Sequence, residues 1–303
     1  MRLALLSTPR CGNTWLRHLL AKLFAAEELA VHHPHEVNWS ALPHSCVLQL
    51  HWHRTPDLEA KLAWHGFRVL VLARHPLDVL LSILHFATHD GATRHWLQGE
   101  GGGERSLHGA MPCSAPFQEY GEGKRAAALL SVSPQWWNAP GAVTLTYENL
   151  VANPASELER VIQLLAARPR LPVAAAVAAA TLSQMRGSSG ARHHFWQGNP
   201  GHWKRLLVAD AAEAIAVAQA PVFAGLGYVC EPDRHLTRSQ ADALWIDLNR
   251  DELTEKTWHY LATRRALEQA QAQLAAGLAV PWQGKFLNLG RALARTARRV
   301  WTK

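Results

Sequence analysis

Cysteine is scarce in this chain and scattered. Cys11, Cys46, Cys113 and Cys230 form no CxxC pair and no dense framework, which excludes a disulfide scaffold and a cysteine-ligated zinc and points to a reduced compartment. Long apolar runs are missing too: none approaches the roughly 18 to 20 residues that a membrane-crossing helix needs. The first residues carry no charged leader or cleavage site, so a cytoplasmic chain is expected, in touch at most with the inner membrane face. There is no GxxxxGK[ST] stretch, which counts against a Walker-type kinase, a class that also wants an acidic residue to hold Mg²⁺. No internal repeat is evident.

What remains is ample for a globular core. The chain has 303 residues, 48% of them hydrophobic, enough for one large core and a small extension. Its formal charge of +7 favours anionic partners. Phosphorylated cofactors, acidic glycans, nucleic acid and membrane surfaces all qualify on charge alone.

Strand-like and helical patterns alternate along the first 230 residues. Leu3 to Leu6 form a short continuous apolar run, whereas Trp15, Leu16, Leu19, Leu20, Leu23 and Phe24 recur at helical spacing. VLQLH at 47–51, FRVLVLA at 67–73 and AVTLTY at 142–147 read as further buried strands. Helices are expected to open near Pro56, at Pro76 and at Pro154, with an alanine-rich helix over 171–182 and another ending near 218. Such alternation predicts an α/β fold with a central parallel sheet flanked by helices. Residues 99–125, rich in glycine and charge, read as a mobile insertion. A boundary is expected after LGYVCEP, giving a core over 1–230 and a helical C-terminal extension over 231–303.

The polar elbow TPRCGNTW, between the first strand and the first helix, carries the chemistry. A helix amino end offers unpaired N–H groups, and Gly12 lets the backbone approach a ligand closely. With the Arg10 fork and the Thr14 hydroxyl, the elbow reads as an anion cradle. Alone, such an elbow is more commonly a helix capped by Asn13 with Arg10 in solvent. His51 and Arg74 strengthen the cradle, because both fall where strands should end, and ligands of open α/β sheets sit beyond the carboxyl ends of the strands. Ser82 follows Arg74 by eight residues on the next helix.

Taken together and in order, TPRCGNTWL, LARHPLDVLLSILHF, TYENLVANP and GNPGHWK resemble the sulfotransferases that use 3′-phosphoadenosine 5′-phosphosulfate (PAPS) as donor. The resemblance spans about residues 1–230 and implies a P-loop-like sulfotransferase fold. It implies that the elbow, Arg10, Cys11, Gly12, Asn13 and Thr14, binds the 5′-phosphosulfate, and that Arg74 and Ser82 hold the 3′-phosphate. Trp15 would stack on the adenine with Tyr147 nearby, and Gly198, Gly201, Trp203 and Lys204 match a late glycine-containing motif that closes over the 3′-phosphate. No metal is required, and no nucleic acid partner is implied.

Sulfuryl transfer needs a base for the acceptor hydroxyl, charge stabilisation on the departing phosphate and in-line placement. His51 stands where the family carries its catalytic histidine and is assigned as general base. His53 competes, being on the same strand face if the strand runs that far. Three departures from the family pattern matter. Arg10 replaces the usual lysine, so it neutralises charge without giving up a proton. Cys11 replaces a serine, leaving the work there to backbone N–H groups; a nucleophilic thiol is the minor alternative, since direct transfer needs no covalent intermediate. Trp196 and Gln197 stand where many relatives have Arg and Lys, which weakens the expected grip on the 3′-phosphate unless Arg192 or Lys204 compensates.

The acceptor is not written in these motifs. A glycan or glycolipid comes first, from the supply of indole (Trp39, Trp52, Trp64, Trp96, Trp136 and Trp137) and from the basic segment 284–302, whose apolar residues at helical spacing suit either docking or an anionic membrane. A phenol or small alcohol comes second. A catalytically dead module that binds glycans or membranes is the alternative of a different class. HHPH at 32–35 does not match zinc spacing, so no metal site is expected. Homo-oligomerisation stays open.

Overall fold

Leu3, Leu5 and Leu6 have no exposed surface, because the strand that carries them is covered on both faces. The computed structural model describes residues 1–89, 91–97, 104–181, 185 and 196–275. Its sheet contains β1 (Arg2–Leu6), β2 (Glu27–Val31), β3 (Cys46–Leu50), β4 (Phe67–Ala73) and β5 (Val143–Thr146) in the order β2-β3-β1-β4-β5. All the pairings are parallel, with Leu3 opposite Val47 on one side and Arg68 on the other. This is why β1, β3 and β4 read as near-continuous apolar runs rather than alternating ones.

The expected helices follow. α1 (Asn13–Phe24) leaves the elbow, α2 (Pro56–Trp64) starts on a Thr55 cap whose Oγ1 accepts from the Leu58 amide, and α3 (Pro76–His89) follows β4. The helix start at Asn13 has no side-chain cap; Gly12 occupies that place in a left-handed conformation. β3 and β4, the third and fourth strands in sequence, lie on the two sides of β1, so the switch point of the sheet falls at the carboxyl end of β1, flanked by those of β3 and β4.

Residues 104–125 are not a mobile insertion. They form a short 3₁₀ turn at Arg105–Leu107 and α4 (Ala115–Glu122), with Leu107 and Phe117 fully buried. The Arg125 Nε donates to the buried Glu104 carboxylate at 2.8 Å, and its guanidinium also caps the Trp96 carbonyl. Burying two charges costs several kcal/mol unless each finds a partner, and this pair supplies one. Residues 99–103 of the expected insertion lie outside the described residues. The chain continues through α5 (Lys124–Leu130) and α6 (Val132–Trp137) into β5, then α7 (Tyr147–Ala152) and α8 (Pro154–Leu164). Among the described residues the alanine-rich stretch 171–182 yields α9 (Val173–Ala178), opened by Pro172; residue 182 lies outside them.

Contacts divide the chain into two compact units, Met1–Leu248 and Asn249–Lys303. The helix Arg238–Leu248 belongs to the first. In the second, the polar helix Arg250–Ala275 exposes Trp258, Tyr260 and Leu267. The basic segment 284–302 lies outside the described residues. Among the described residues no helix is long and apolar enough to cross a membrane.

Candidate functional site

The elbow is fixed from behind by α6. The Thr8 amide donates to Ser133 Oγ at 2.8 Å, the Ser133 amide returns a bond to Thr8 Oγ1, and Ser133 Oγ donates to the Leu72 carbonyl of β4. Ser7 Oγ accepts from the Leu72 amide at 2.7 Å, so β1 and β4 stay joined beyond their last ladder pair. Asn13 turns inward, donating to the Thr8 carbonyl at 2.8 Å. These bonds satisfy buried polar groups and hold the turn in one shape. Arg10 has φ 68° and Gly12 φ 99°. A Cβ on Gly12 would lie 2.6 Å from the Tyr147 ring, so both conformation and space demand glycine there.

Two residues expected at the 3′-phosphate end, Ser82 and Arg74, meet Arg10 of this turn. Arg10 Nε donates to Ser82 Oγ at 3.1 Å, its guanidinium lying 4.4 Å from the centre of the Phe86 ring. Arg74 Nη1 donates to the Arg10 carbonyl at 3.4 Å, and its guanidinium lies over the Tyr147 ring at 4.5 Å. Arg74 is only 7% exposed. Its Nε is buried with no hydrogen-bond partner, and it makes no ion pair among the described residues. A buried guanidinium with an idle N–H is costly on its own, and an anion would relieve that cost.

The late glycine motif is drawn to the same place. Tyr147 donates its hydroxyl to the Gly198 carbonyl, and Trp15 Nε1 donates to Ala180 O at 2.8 Å, its indole packed edge-on to Tyr147. Asp78, in the first turn of α3, is 1% exposed and accepts from the Gly201 amide at 2.6 Å and the Trp203 amide at 3.0 Å. Lys204, in contrast, is exposed, lies over Trp203 at 5.4 Å and forms no hydrogen bond or ion pair among the described residues. Trp196 is buried, stacked on His85 at 5.0 Å and packed edge-on to Trp245 of the helix Arg238–Leu248. Gln197 donates to the Leu248 carbonyl. The two positions therefore bind a helix of this chain instead of carrying cations. Arg192 lies outside the described residues.

His51 sits directly after β3 and is 6% exposed. Its Nδ1 is 2.7 Å from the Ser7 carbonyl of the elbow and its Nε2 is 3.1 Å from the Gln49 amide nitrogen. Burial pushes its pKa down to about 4, against the raising effect of the Ser7 bond, so the ring is neutral near neutral pH. β3 stops at Leu50, so the shared strand face invoked for His53 does not exist; His53 Nε2 is 3.0 Å from the Ala128 carbonyl at the end of α5. Burial also pushes the Cys11 thiol up to about 12, which leaves it protonated and removes the nucleophilic alternative. The cysteine lines a narrow interstice with Thr8, Arg74 and Ser133.

The supply of indole is not gathered at the crevice. Trp39 packs on His65 and Phe67 at the amino end of β4, Trp64 at the end of α2 is 86% exposed, and Trp96 and Trp136 are core residues. Trp52 alone of the six follows His51 directly, with His33 edge-on to it at 4.1 Å. Among the described residues no group of three or more His, Cys, Asp or Glu could hold a metal ion. Sequence reading missed Thr8, Gln49, Asp78 and Ser133. Asp78 had one signal, an acid in the first turn of a proline-opened helix.

No family model matches the chain, and no curated protein matches it significantly. Solved structures do. Mouse sulfotransferase SULT7A1 complexed with PAP aligns at a TM-score of 0.56 and 13% identity over 74% of this chain and 84% of that one. Retinol dehydratase in complex with androsterone and inactive cofactor PAP aligns at 0.51 and 12% identity, over 73% and 80%. The same enzyme with retinol and PAP aligns at 0.50 and 13%, over 73% and 81%. With a parallel sheet in this order and an elbow at the end of its central strand, the chain carries the sulfotransferase fold.

Proposed function

We propose that this chain is a sulfotransferase that moves a sulfuryl group from PAPS to an acceptor hydroxyl. The observation that carries the proposal is the convergence of Arg10, Arg74 and Ser82 on a turn that also presents the amino end of α1. Two neighbours in fold are described with PAP, the donor without its sulfuryl group. The residues present fit such a group: the turn is open only because position 12 is glycine, and Arg74 has a buried N–H in want of an acceptor. Backbone amides of residues 11–14, with Thr14 and Arg10, would hold the 5′ end, Arg74 and Ser82 the 3′-phosphate, with the Arg10 Nε beside Ser82 adding charge there as well, and the Trp15 face the adenine. Gly198 and Gly201 close the loop, and Lys204 supplies charge from its rim. The donor supplies an activated sulfur. The acceptor oxygen forms the new O–S bond as the S–O bond to phosphate breaks, His51 Nε2 takes the hydroxyl proton, and Arg10 offsets charge on the departing phosphate.

The acceptor is a glycan or glycolipid on the sequence reading, through Trp52 and the basic segment 284–302, which would bring the chain to an anionic membrane. The depressed basicity of His51 favours a second reading, an acidic hydroxyl such as a phenol, because a weak base removes the more acidic proton more readily. The cysteines, all free among the described residues, suit a cytoplasmic location.

Calorimetry with PAP, followed by a labelled-donor screen against sugar and phenol acceptors, tests the proposal. PAP binding with label transfer supports it. Absence of PAP binding leaves a non-catalytic module, and PAP binding without transfer to any hydroxyl overturns the enzymatic reading.

A further inference from the structure

Three hydrogen bonds in a row end on His51, and each has only one chemically permitted direction. Arg17, one turn into α1, places Nη1 2.6 Å from Gln49 Oε1. A guanidinium only donates, so the oxygen of Gln49 faces Arg17 and its NH₂ faces His51. The NH₂ also only donates, so His51 Nε2, 3.1 Å away, accepts and carries no proton. At the far side of the ring, Nδ1 is 2.7 Å from the Ser7 carbonyl, which only accepts, so Nδ1 carries the proton. Both ends of the imidazole independently demand the same tautomer.

Arg17 is itself held. Its Nε donates to Glu28 Oε2 at 2.9 Å, and the side chain is 13% exposed. Glu28, on edge strand β2, is within 2.6 Å of His18 Nδ1 as well. Turning the Gln49 amide over would set its NH₂ against the guanidinium and its oxygen against the Nε2 lone pair. Protonating Nε2 without that turn would set two N–H groups against each other. The guanidiniums of Arg17 and Arg10 also disfavour a charged imidazole.

We infer that Arg17 and Gln49 are positioning residues for His51, holding the imidazole as the neutral Nδ1–H tautomer with an unprotonated Nε2. The role as catalytic base rests on the proposed sulfuryl transfer; the tautomer lock does not. An acceptor hydroxyl arriving at Nε2 takes the place of the Gln49 amide hydrogen and meets a lone pair already aimed.

The test is ¹⁵N NMR of the full chain labelled in histidine, with the His51 ring signals assigned by their loss in His51→Gln. In the wild type, Nε2 shows the shift of a bare ring nitrogen and Nδ1 that of an N–H nitrogen, down to acidic pH. Arg17→Met frees the amide to turn, and Gln49→Glu sets a carboxylate against Nε2. Each raises the His51 titration midpoint by at least one pH unit, Gln49→Glu the more, while Arg17→Lys, still a donor, restores the wild-type midpoint. Unchanged tautomer and midpoint in folded Arg17→Met and Gln49→Glu overturn the inference. If either of those two variants does not fold, the other decides. The acidic limb of label transfer should move with the midpoint. NMR shifts without any transfer keep the lock and remove the sulfotransferase reading; transfer with no NMR shift does the reverse.

Discussion

Arg10 Nε and Ser82 Oγ, 72 residues apart in sequence, are hydrogen-bonded at 3.1 Å. Under the proposed function, Arg10 thereby reaches the end of the crevice assigned to the 3′-phosphate, where Trp196 and Gln197 carry no charge. Arg10→Met should cut the preference for PAP over AMP by ~10-fold or more, the size of a charge-assisted bond lost. Calorimetry with both nucleotides gives the ratio. An unchanged ratio would assign Arg10 to the 5′ end alone.

His51 should make stability depend on pH in a definite direction. Its folded pKa, near 4, lies below the ordinary value of 6.5, so the unfolded chain binds the proton first. The contribution is full above pH 6.5 and is lost as pH falls from there through 4, amounting to about 2 kcal/mol by pH 5. Urea unfolding of the wild type and His51→Gln at pH 7.5 and pH 5 should show the wild type losing that much more than the variant. In activity, His51→Ala should abolish turnover while PAP still binds.

Gly12→Ala forces a Cβ to within 2.6 Å of the Tyr147 ring at a φ of +99°. A cost of ~1–3 kcal/mol in unfolding free energy is expected from the strained conformation, with a larger loss in PAP affinity as Tyr147 is pushed towards the crevice. Wild-type affinity in the variant would show that the turn does not hold the ligand.

Asp78→Asn keeps the shape but leaves one accepting oxygen for two amides, those of Gly201 and Trp203. Hydrogen exchange should accelerate at those two amides while β1 keeps its protection, because the loss of a bond worth ~1–3 kcal/mol is local. Equal acceleration throughout would mean that the carboxylate supports the whole fold.

The central part of this architecture was legible because it is coded locally. β1, β3 and β4 are short apolar runs, α2, α3 and α8 open on proline, and the elbow lies between two unambiguous periods. β2, reading EELAV, lacked such a signal: it is an edge strand with no buried residue, and its Glu28 pairs with Arg17 and His18 of α1. α4 escaped because its charges and glycines resemble loop composition, although Phe117 and Tyr120 are buried beneath it. Gln49, Asp78 and Ser133 are ordinary residues in sequence; their partners lie 32 to 125 residues away. Trp196 and Gln197 were recognisable as departures, but their attachment to the helix Arg238–Leu248 was not.

β1 stands in the middle of the sheet, and both of its neighbours, β3 and β4, come later in the chain. A ribosome must therefore release β1 with neither edge covered, and the turn that follows it has no fixed shape until Ser133 has emerged and docked. Folding of the binding end is consequently a late event, dominated by contacts of long sequence separation, which are slow to form. Amino-terminal fragments ending before α6 should be recovered as aggregates, not as small nucleotide-binding modules.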